Sequence, residues 1–460
     1  ASMKNTFYEI SSSYLKIGLR TEENFDATMK KIKKNRKEYT LFYLSTLTDN
    51  MEIMAITQSI VENPTYNIQE LILNGAVSKT QDLKNMMKLA LSGVAILLIK
   101  GKDYALAIES RSYHGRSLTE PDSERTIRGS KDGFNESIND NISLIRRRIR
   151  SSDFKIELYS IGKKSKTDVA MVYLNNVADE KIIREIKSKL KIIDVESLVM
   201  TDRALEEELF GQKFNPFPLA RYTQRPDIAS INLLKGKIIL IVDTSPSVII
   251  VPISLFDHLK SVEEYRQPPL VGSFIKFIRT LAILVSIFLI PLWYVLVTES
   301  NISNFFIIQP TNSESLIPIF MQIIMAEFFV ETIGLAVIYT PNVLTSTIGI
   351  VAAIIMGSVS IDLNLFLPEV LLYVAVSAIS SYSTPSYELS LANRLVKYSL
   401  LILSILFGSS GLLLGVLILF CYLARIHVLD KYYLSPIIPF NGKDFIKLIF
   451  RKTTEDKKIL

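Results

Sequence analysis

The sequence predicts an α/β cytoplasmic N-terminal region in two subdomains, followed by an all-α transmembrane helical domain. Three observations predict it. Of 52 Lys and Arg, none lies between Thr280 and Asn393, and that stretch holds only seven acidic residues. The silent stretch divides into four apolar runs, each long enough to cross a bilayer. Ahead of it, short apolar runs alternate with helix-like stretches, the pattern of an α/β fold. Charge is concentrated at the two ends: residues 1 to 279 carry 42 basic and 35 acidic groups, and residues 394 to 460 carry ten and four. A folded soluble surface normally mixes both signs, so the middle is a membrane domain and a purely soluble enzyme is excluded.

Residues 1 to 40 are polar and Lys-rich with weak helical periodicity, and are expected to form a partly ordered lead-in. Ala1 and Ser2 ahead of Met3 read as a cloning remnant. The start has no apolar signal-peptide core, so the region is expected to remain cytoplasmic. The first α/β subdomain, 41–118, opens with an apolar run at Leu41 to Leu44 and a helical pattern from Asn50 to Val61. Runs at Val94 to Ile99 and Tyr104 to Ile108, joined by Gly101, Lys102 and Asp103, predict a β-hairpin.

The second subdomain, 119–262, begins with the strongest helical pattern outside the membrane. Ile127, Phe134, Ile138, Ile142, Ile145 and Ile149 lie on one stripe of a helix spanning Ser123 to Arg150. Its last turn carries Arg146, Arg147, Arg148 and Arg150, cations that favour the negative end of the helix dipole. Two readings stand for them: a solvated basic helix end, or a membrane-face contact with anionic lipid or another subunit. Strands follow at Phe154 to Tyr159 and Val169 to Leu174, then a helix from Asp179 to Lys191. Lys237 to Val242 and Val248 to Val251 pair about a turn in which Asp243 is expected to cap its own backbone. Three prolines make Asn215 to Asp227 a rigid, extended connection.

In the membrane domain, 263–430, the four runs are Thr280 to Thr298, Pro318 to Tyr339, Val343 to Ile361 and Leu365 to Tyr382. Each spans roughly 27 to 33 Å at about 1.5 Å per residue. Arg266, Lys276 and Arg279 precede the first, and Arg394 and Lys397 follow the fourth, so an even number of crossings places all of them on the cytoplasmic side. A fifth run, Tyr398 to Leu423, is interrupted at Gly408 to Gly411. It is either one crossing or a bent hairpin, and only the hairpin keeps the basic tail, 431–460, inside.

Glu327 and Glu331 lie four apart on one face of the second run, where an ionised group facing lipid costs about 3 kcal/mol. They read as a cation-attracting pore wall or proton relay, or as hydrogen-bonded carboxyls joining helices. Ser377, Ser381 and Thr384 form a hydroxyl stripe that either lines a wet path or joins helices. Gly349, Ala353 and Gly357, and likewise Gly411 and Gly415, make small-residue faces for close helix packing, with oligomerisation as the extension. The single Cys421 and three scattered histidines offer no metal-ligand spacing, and no phosphate loop or nucleophile elbow is present. No cofactor, metal, nucleic-acid partner or enzymatic activity is expected.

Several blocks resemble the A-subunit family of bacterial spore germination receptors, the GerA family. They are Glu109 to Arg150, Gly162 to Leu174, Asn215 to Asp227, Ile241 to Pro252, Arg266 to Phe274 (RQPPLVGSF) and Thr384 to Arg394 (TPSYELSLANR), in that order. Within the family, the SYHGR, EYRQPPLVGSF and TPSYELSLAN blocks look closer to the stage V sporulation branch than to the nutrient-receptor A subunits. The resemblance implies an integral, multi-pass protein of the spore inner membrane with a cytoplasmic α/β region. It further implies a homo-oligomer that passes monovalent cations when dormancy ends, beside other inner-membrane germination proteins, with nutrient sensing left mainly to a B subunit.

Overall fold

The computed structural model describes residues 2–34, 37–62, 76–112, 124, 129–299, 315, 317–340 and 342–449. It divides into two compact units: residues 1–213 with 219–253, and residues 214–218 with 254–460.

The first unit holds two five-stranded sheets, antiparallel at every pairing. The elements of the first subdomain are α1 (Ser2–Leu19), β1 (Ala27–Lys34), β2 (Lys37–Leu44), α2 (Asn50–Glu62), β3 (Val77–Thr80), α3 (Leu83–Leu91), β4 (Ala95–Ile99) and β5 (Ala105–Ile108), with strand order β1-β2-β4-β5-β3. β2 and β4 read as unbroken apolar runs because both of their faces are covered. On one side Phe42, Ile96 and Leu98 pack against Leu15 and Leu19 of α1 and Met86 and Ala90 of α3. On the other, Leu41, Leu97 and Leu106 pack against Ile53, Ile56 and Ile60 of α2. The predicted hairpin is β4–β5, with Ala95 opposite Ile108.

Residues 1 to 40 are not a partly ordered lead-in. α1 delivers Tyr8, Leu15 and Leu19 to the core, and β1 is the edge strand beside β2. The signal is weak in sequence for two reasons. α1 buries only a narrow stripe, and β1 shows exposed lysines at Lys30, Lys31, Lys33 and Lys34, as edge strands do to avoid further pairing.

The second subdomain contains α4 (Ile138–Arg146), β6 (Phe154–Ile161), β7 (Thr167–Leu174), α5 (Glu180–Ile192), α6 (Thr201–Phe210), β8 (Arg221–Thr223), α7 (Pro226–Leu234), β9 (Ile238–Val242) and β10 (Val248–Val251), with strand order β6-β7-β9-β10-β8. The predicted helix from Ser123 is shorter than its apolar stripe suggests. α4 starts only at Ile138, where the Ser137 hydroxyl accepts from Asp140 N. Phe134 and Ile149 are buried from irregular backbone on either side of it; Ile127 lies outside the described residues. Asp243 caps this helix rather than its own turn, its carboxylate accepting from Ile138 N at 3.2 Å. The proline-rich connection ends in the edge strand β8, and Pro226 opens α7 at a position whose missing N–H costs nothing.

Arg146 is neither a solvated cation nor a membrane-face contact. Its side chain is 1% exposed and forms a two-pronged pair with Asp26, at 2.8 and 3.1 Å, while the guanidinium lies 4.5 Å from the Phe154 ring centroid. Thr46 Oγ1 donates to the same carboxylate. Two residues earlier Asn24 donates to Phe154 O and accepts from Ile156 N, so the segment entering β1 is fastened to β6 of the second sheet. Arg148 is tied to Asp132 and Ser130. Arg150 is exposed and Arg147 half-buried.

In the second unit, α8 (Leu255–His258) and α9 (Val262–Arg266) lead into α10 (Pro269–Glu299), α11 (Ile319–Tyr339), α12 (Asn342–Ala353), a π-helical stretch (Ile354–Val359), α13 (Ser360–Asp362), α14 (Pro368–Ser381), α15 (Tyr387–Arg425), a short β11–β12 ladder (His427–Val428 and Lys431–Tyr432) and α16 (Gly442–Ile449). Among the described residues four helical stretches are long and apolar enough to span a bilayer: α10, α11, Leu344–Asp362 and α15; α14 is shorter.

α15 is two rods, not one. Gly408 has φ 60° and ψ −139°, which breaks the helix. In an unbroken helix residues 400 and 415 would stand roughly 22 Å apart; here a Cβ added at Gly415 would lie 2.7 Å from Leu400 Cδ2, and one at Gly411 would overlap the Leu403 carbonyl. The run therefore folds back on itself, and Gly411 and Gly415 are the small residues that let the two arms touch. The start of the returning arm is capped from another helix, because both oxygens of Glu299, at the end of α10, accept from Ser409 N at 3.1 and 3.0 Å. The returning arm ends beside the entry to the bundle: Tyr422 OH donates to Asn215, and Leu255 N donates to Tyr433 O.

Two outcomes follow. Asp26→Asn strands Arg146 as a buried cation and should lower stability by about 3–5 kcal/mol, seen as a lower denaturant midpoint of the solubilised chain; Asp153→Asn, which removes a partly exposed 3.6 Å pair with Arg20, should stay within about 1 kcal/mol. Gly408→Ala forces a side chain into a conformation costing about 1–3 kcal/mol and into the Glu299 carboxylate, so its melting temperature should fall, whereas Gly334→Ala, with open space around it, should melt as the parent does.

Candidate functional site in the helical bundle

The apolar core of the bundle is built from Ile290 and Trp293 of α10, Ile323 and Ala326 of α11, Val370 and Val374 of α14, and Leu401 of α15, with Trp293 stacked on Tyr373 at 4.7 Å. A polar layer crosses it. Glu327 and Glu331 project from one face of α11, as a four-residue spacing requires, and meet three side chains of the first arm of α15. Lys397 Nζ donates to Glu327 Oε2 at 2.7 Å, and both side chains are 4% exposed. Arg394 Nη1 donates to Glu331 Oε2 at 2.7 Å, with 21% and 30% exposure. The Tyr398 hydroxyl lies between the acids, 3.2 Å from Glu327 Oε2 and 2.9 Å from Glu331 Oε1, and its single proton can serve either.

Four charged side chains thus sum to zero inside an apolar bundle. Each is tolerable because its partner is present; removing one partner of a buried pair typically costs about 3–5 kcal/mol. Chemically the layer can hold two rods in one register, and it can offer carboxylates to water wherever the pair is not fully covered.

Around this layer several other polar residues join helices. Ser377 is fully buried and donates to Ser286 O on α10 at 3.2 Å. Ser381 donates to Ala378 O, and its own carbonyl accepts from Ser390. Thr384 falls outside the helix: α14 ends at Ser381, and Thr384 sits in the turn leading to α15, its hydroxyl buried. The three hydroxyls therefore do not form one continuous stripe. Gln322 spans two helices, donating to Ile317 O and accepting from Leu367 N. Gly349 and Gly357 are the opposite case, since a Cβ added at either would meet nothing within 4 Å. Among the described residues nothing covers the face they share with the exposed Ala353.

Sequence reasoning placed Arg394 and Lys397 beyond a crossing, as markers of a cytoplasmic end. α15 instead begins at Tyr387 and carries both into the bundle. Their spacing of three, with Tyr398 next to the second, is about one helical turn, as is the spacing of four between the two acids, and that complementarity was the available signal. The Glu299 cap on Ser409 had none. Among the described residues no group of three or more His, Cys, Asp or Glu could hold a metal ion. The SYHGR block, apart from Ser112, lies outside them.

In the first unit, a polar cavity of about 450 Å³ is lined by Phe25 and Thr46 from one subdomain and Ser137 and Asp140 from the other.

The model of the Bacillus/Clostridium GerA spore germination protein family matches residues 15–459. Stage V sporulation protein AF of Bacillus subtilis (strain 168) is 38% identical over 455 residues, covering 96% of this chain and 92% of that protein. Spore germination protein KA of the same organism is 28% identical over 443 residues, covering 93% and 81%. The crystal structure of the N-terminal domain of the A subunit of the Bacillus megaterium spore germinant receptor GerK3 aligns with 52% of this chain and 92% of that chain, at 27% identity and a TM-score of 0.40.

The layer predicts its own test. Lys397→Met leaves Glu327 charged and alone, and the melting temperature in detergent should fall sharply; adding Glu327→Gln should recover most of the loss, because the pair is then removed as a unit. Equal melting of the parent and Lys397→Met proteins would mean that the pair is not formed.

Proposed function

The chain belongs to the GerA family of spore germination proteins, and from that premise we propose that it is a subunit of an oligomeric channel in the spore inner membrane. It passes monovalent cations when dormancy ends, beside the germinant receptors to whose A subunits it is related. The observation that carries this reading is the partial exposure of the Glu331–Arg394 pair, 30% and 21%, within an otherwise apolar bundle. An ion pair facing lipid there would be costly, so that surface must meet water or protein. A second copy supplies protein, and a passage between copies supplies water.

Two features support the same reading. The Gly349, Ala353 and Gly357 face is open to a neighbouring helix, as small residues allow in membrane assemblies. Glu327 and Glu331 then have separate roles: Glu327 is held by Lys397 as part of the bundle, and Glu331, less covered, faces the passage and attracts cations. Ser377 and Ser381 belong to packing. The basic residues flanking the bundle, Arg266, Lys276, Arg279, Arg425 and Lys431, favour a cytoplasmic entry and exit.

One observation favours a second reading. Both carboxylates have cationic partners, whereas a selectivity ring relies on uncompensated charge, and a neutral layer fits a scaffold that gathers germination proteins without conducting. A receptor A-subunit role is the neighbouring possibility within the same family. Flux decides between channel and scaffold. Liposomes carrying the purified full chain should release potassium, and Glu331→Gln should slow that release about tenfold while the oligomer stays intact; sealed liposomes that hold potassium despite an intact oligomer would leave the scaffold.

A further inference from the structure

We propose that the C-terminal segment from Phe440 through α16 is a surface helix lying in the headgroup–acyl boundary of the bilayer that the bundle crosses. The inference does not rest on conduction; it needs only that the bundle spans a membrane.

Three observations carry it. The first is position. Because α15 folds back at Gly408, the chain leaves the bundle at the end where it entered, and the exit is pinned there: Leu255 N donates to Tyr433 O at 2.8 Å, and the Tyr433 ring packs 6.3 Å from Phe217 and 6.5 Å from His258. α16 begins nine residues later and touches α10. It is thus held at the margin of the apolar rods.

The second is sidedness. At a helical rotation of about 100° per residue, Phe445 and Ile446 fall on one side of α16, with Lys443 and Asp444 on the other. The start of the helix is fixed, since Asn441 Nδ2 donates to Asp444 Oδ2 at 2.8 Å and Asn441 Oδ1 accepts from Asp444 N.

The third is what the apolar side leaves uncovered. Phe440 is 72% exposed and Ile446 is 56% exposed, and the Phe440 and Phe445 rings meet at a tilt with centroids 5.8 Å apart, forming one apolar edge. An amphipathic helix with aromatic and aliphatic residues on one side and a Lys on the other partitions into a bilayer interface, and aromatic rings settle at that depth. Lys443 then points toward the phosphates.

The test uses the full chain in liposomes. Cys421 is the single cysteine, so Cys421→Ser provides a background for one environment-sensitive thiol label at Ile446→Cys or, separately, at Asp444→Cys. The expected result is a blue-shifted label at 446 that nitroxide lipids with shallow spin groups quench and aqueous iodide does not, with the reverse at 444. Iodide quenching of 446 as strong as that of 444 would overturn the proposal, as the helix would then stand in water. So would a label at 446 shielded from both quenchers, which would mean a protein partner, or lipid quenching at both sites, which would mean insertion without sidedness.

Discussion

A carboxylate inside an apolar helix has to find a cation, and in this chain that requirement fixes which rods are neighbours. Glu327 and Glu331 on α11 reach Lys397 and Arg394 on α15, with Tyr398 between them. The pairing runs in opposite directions along the two helices, 327 to 397 and 331 to 394, so it fixes both their antiparallel sense and their register. A one-turn slip would strand at least one charge in hydrocarbon, at a cost of several kcal/mol. Apolar packing is comparatively permissive about such slips, as Leu and Ile surfaces are interchangeable over a turn.

The same logic, in a wetter setting, organises the N-terminal unit. Asp26 and Arg146 are 120 residues apart in sequence, and together they hold the entry to one sheet against β6 of the other. In both units an acid and a base from distant parts of the chain settle which elements are adjacent, while the surrounding apolar residues supply most of the burial. The hairpin in α15 adds a third instance in which a carboxylate, Glu299, meets a helix start rather than a cation. Since a glycine sits at the bend, the carboxylate can approach the backbone directly.

Much of this was legible in the sequence, and the parts that were not share a cause. The absence of Lys and Arg between Thr280 and Asn393 marked the membrane domain, because insertion in lipid penalises unpaired charge. Short apolar runs on either side of a turn located β4, β5, β9 and β10, each paired with a neighbour close in sequence. The helix before Arg146 was overextended because its apolar stripe continues into irregular backbone at Phe134; the stop lies in Ser137, a good cap, which periodicity ignores. Arg146 itself looked like a solvated cation because nothing local reveals a partner 120 residues away. Arg394 and Lys397 misled for the same reason: read alone, a basic residue beside an apolar run marks a membrane boundary, and only the matching acids on α11 show that it lies within. The interruption at Gly408 was visible, but its consequence, a fold-back rather than a kink, depends on the close approach of Gly415 to Leu400.

The central claim is that a charge-compensated layer couples α11 to α15 within the membrane. A double-mutant cycle on Glu331 and Arg394, read as unfolding free energy of the full chain in bilayers, tests it most directly. The account predicts that Glu331→Gln and Arg394→Met together cost at least about 1 kcal/mol less than the sum of their separate effects. Strict additivity of the two would contradict it.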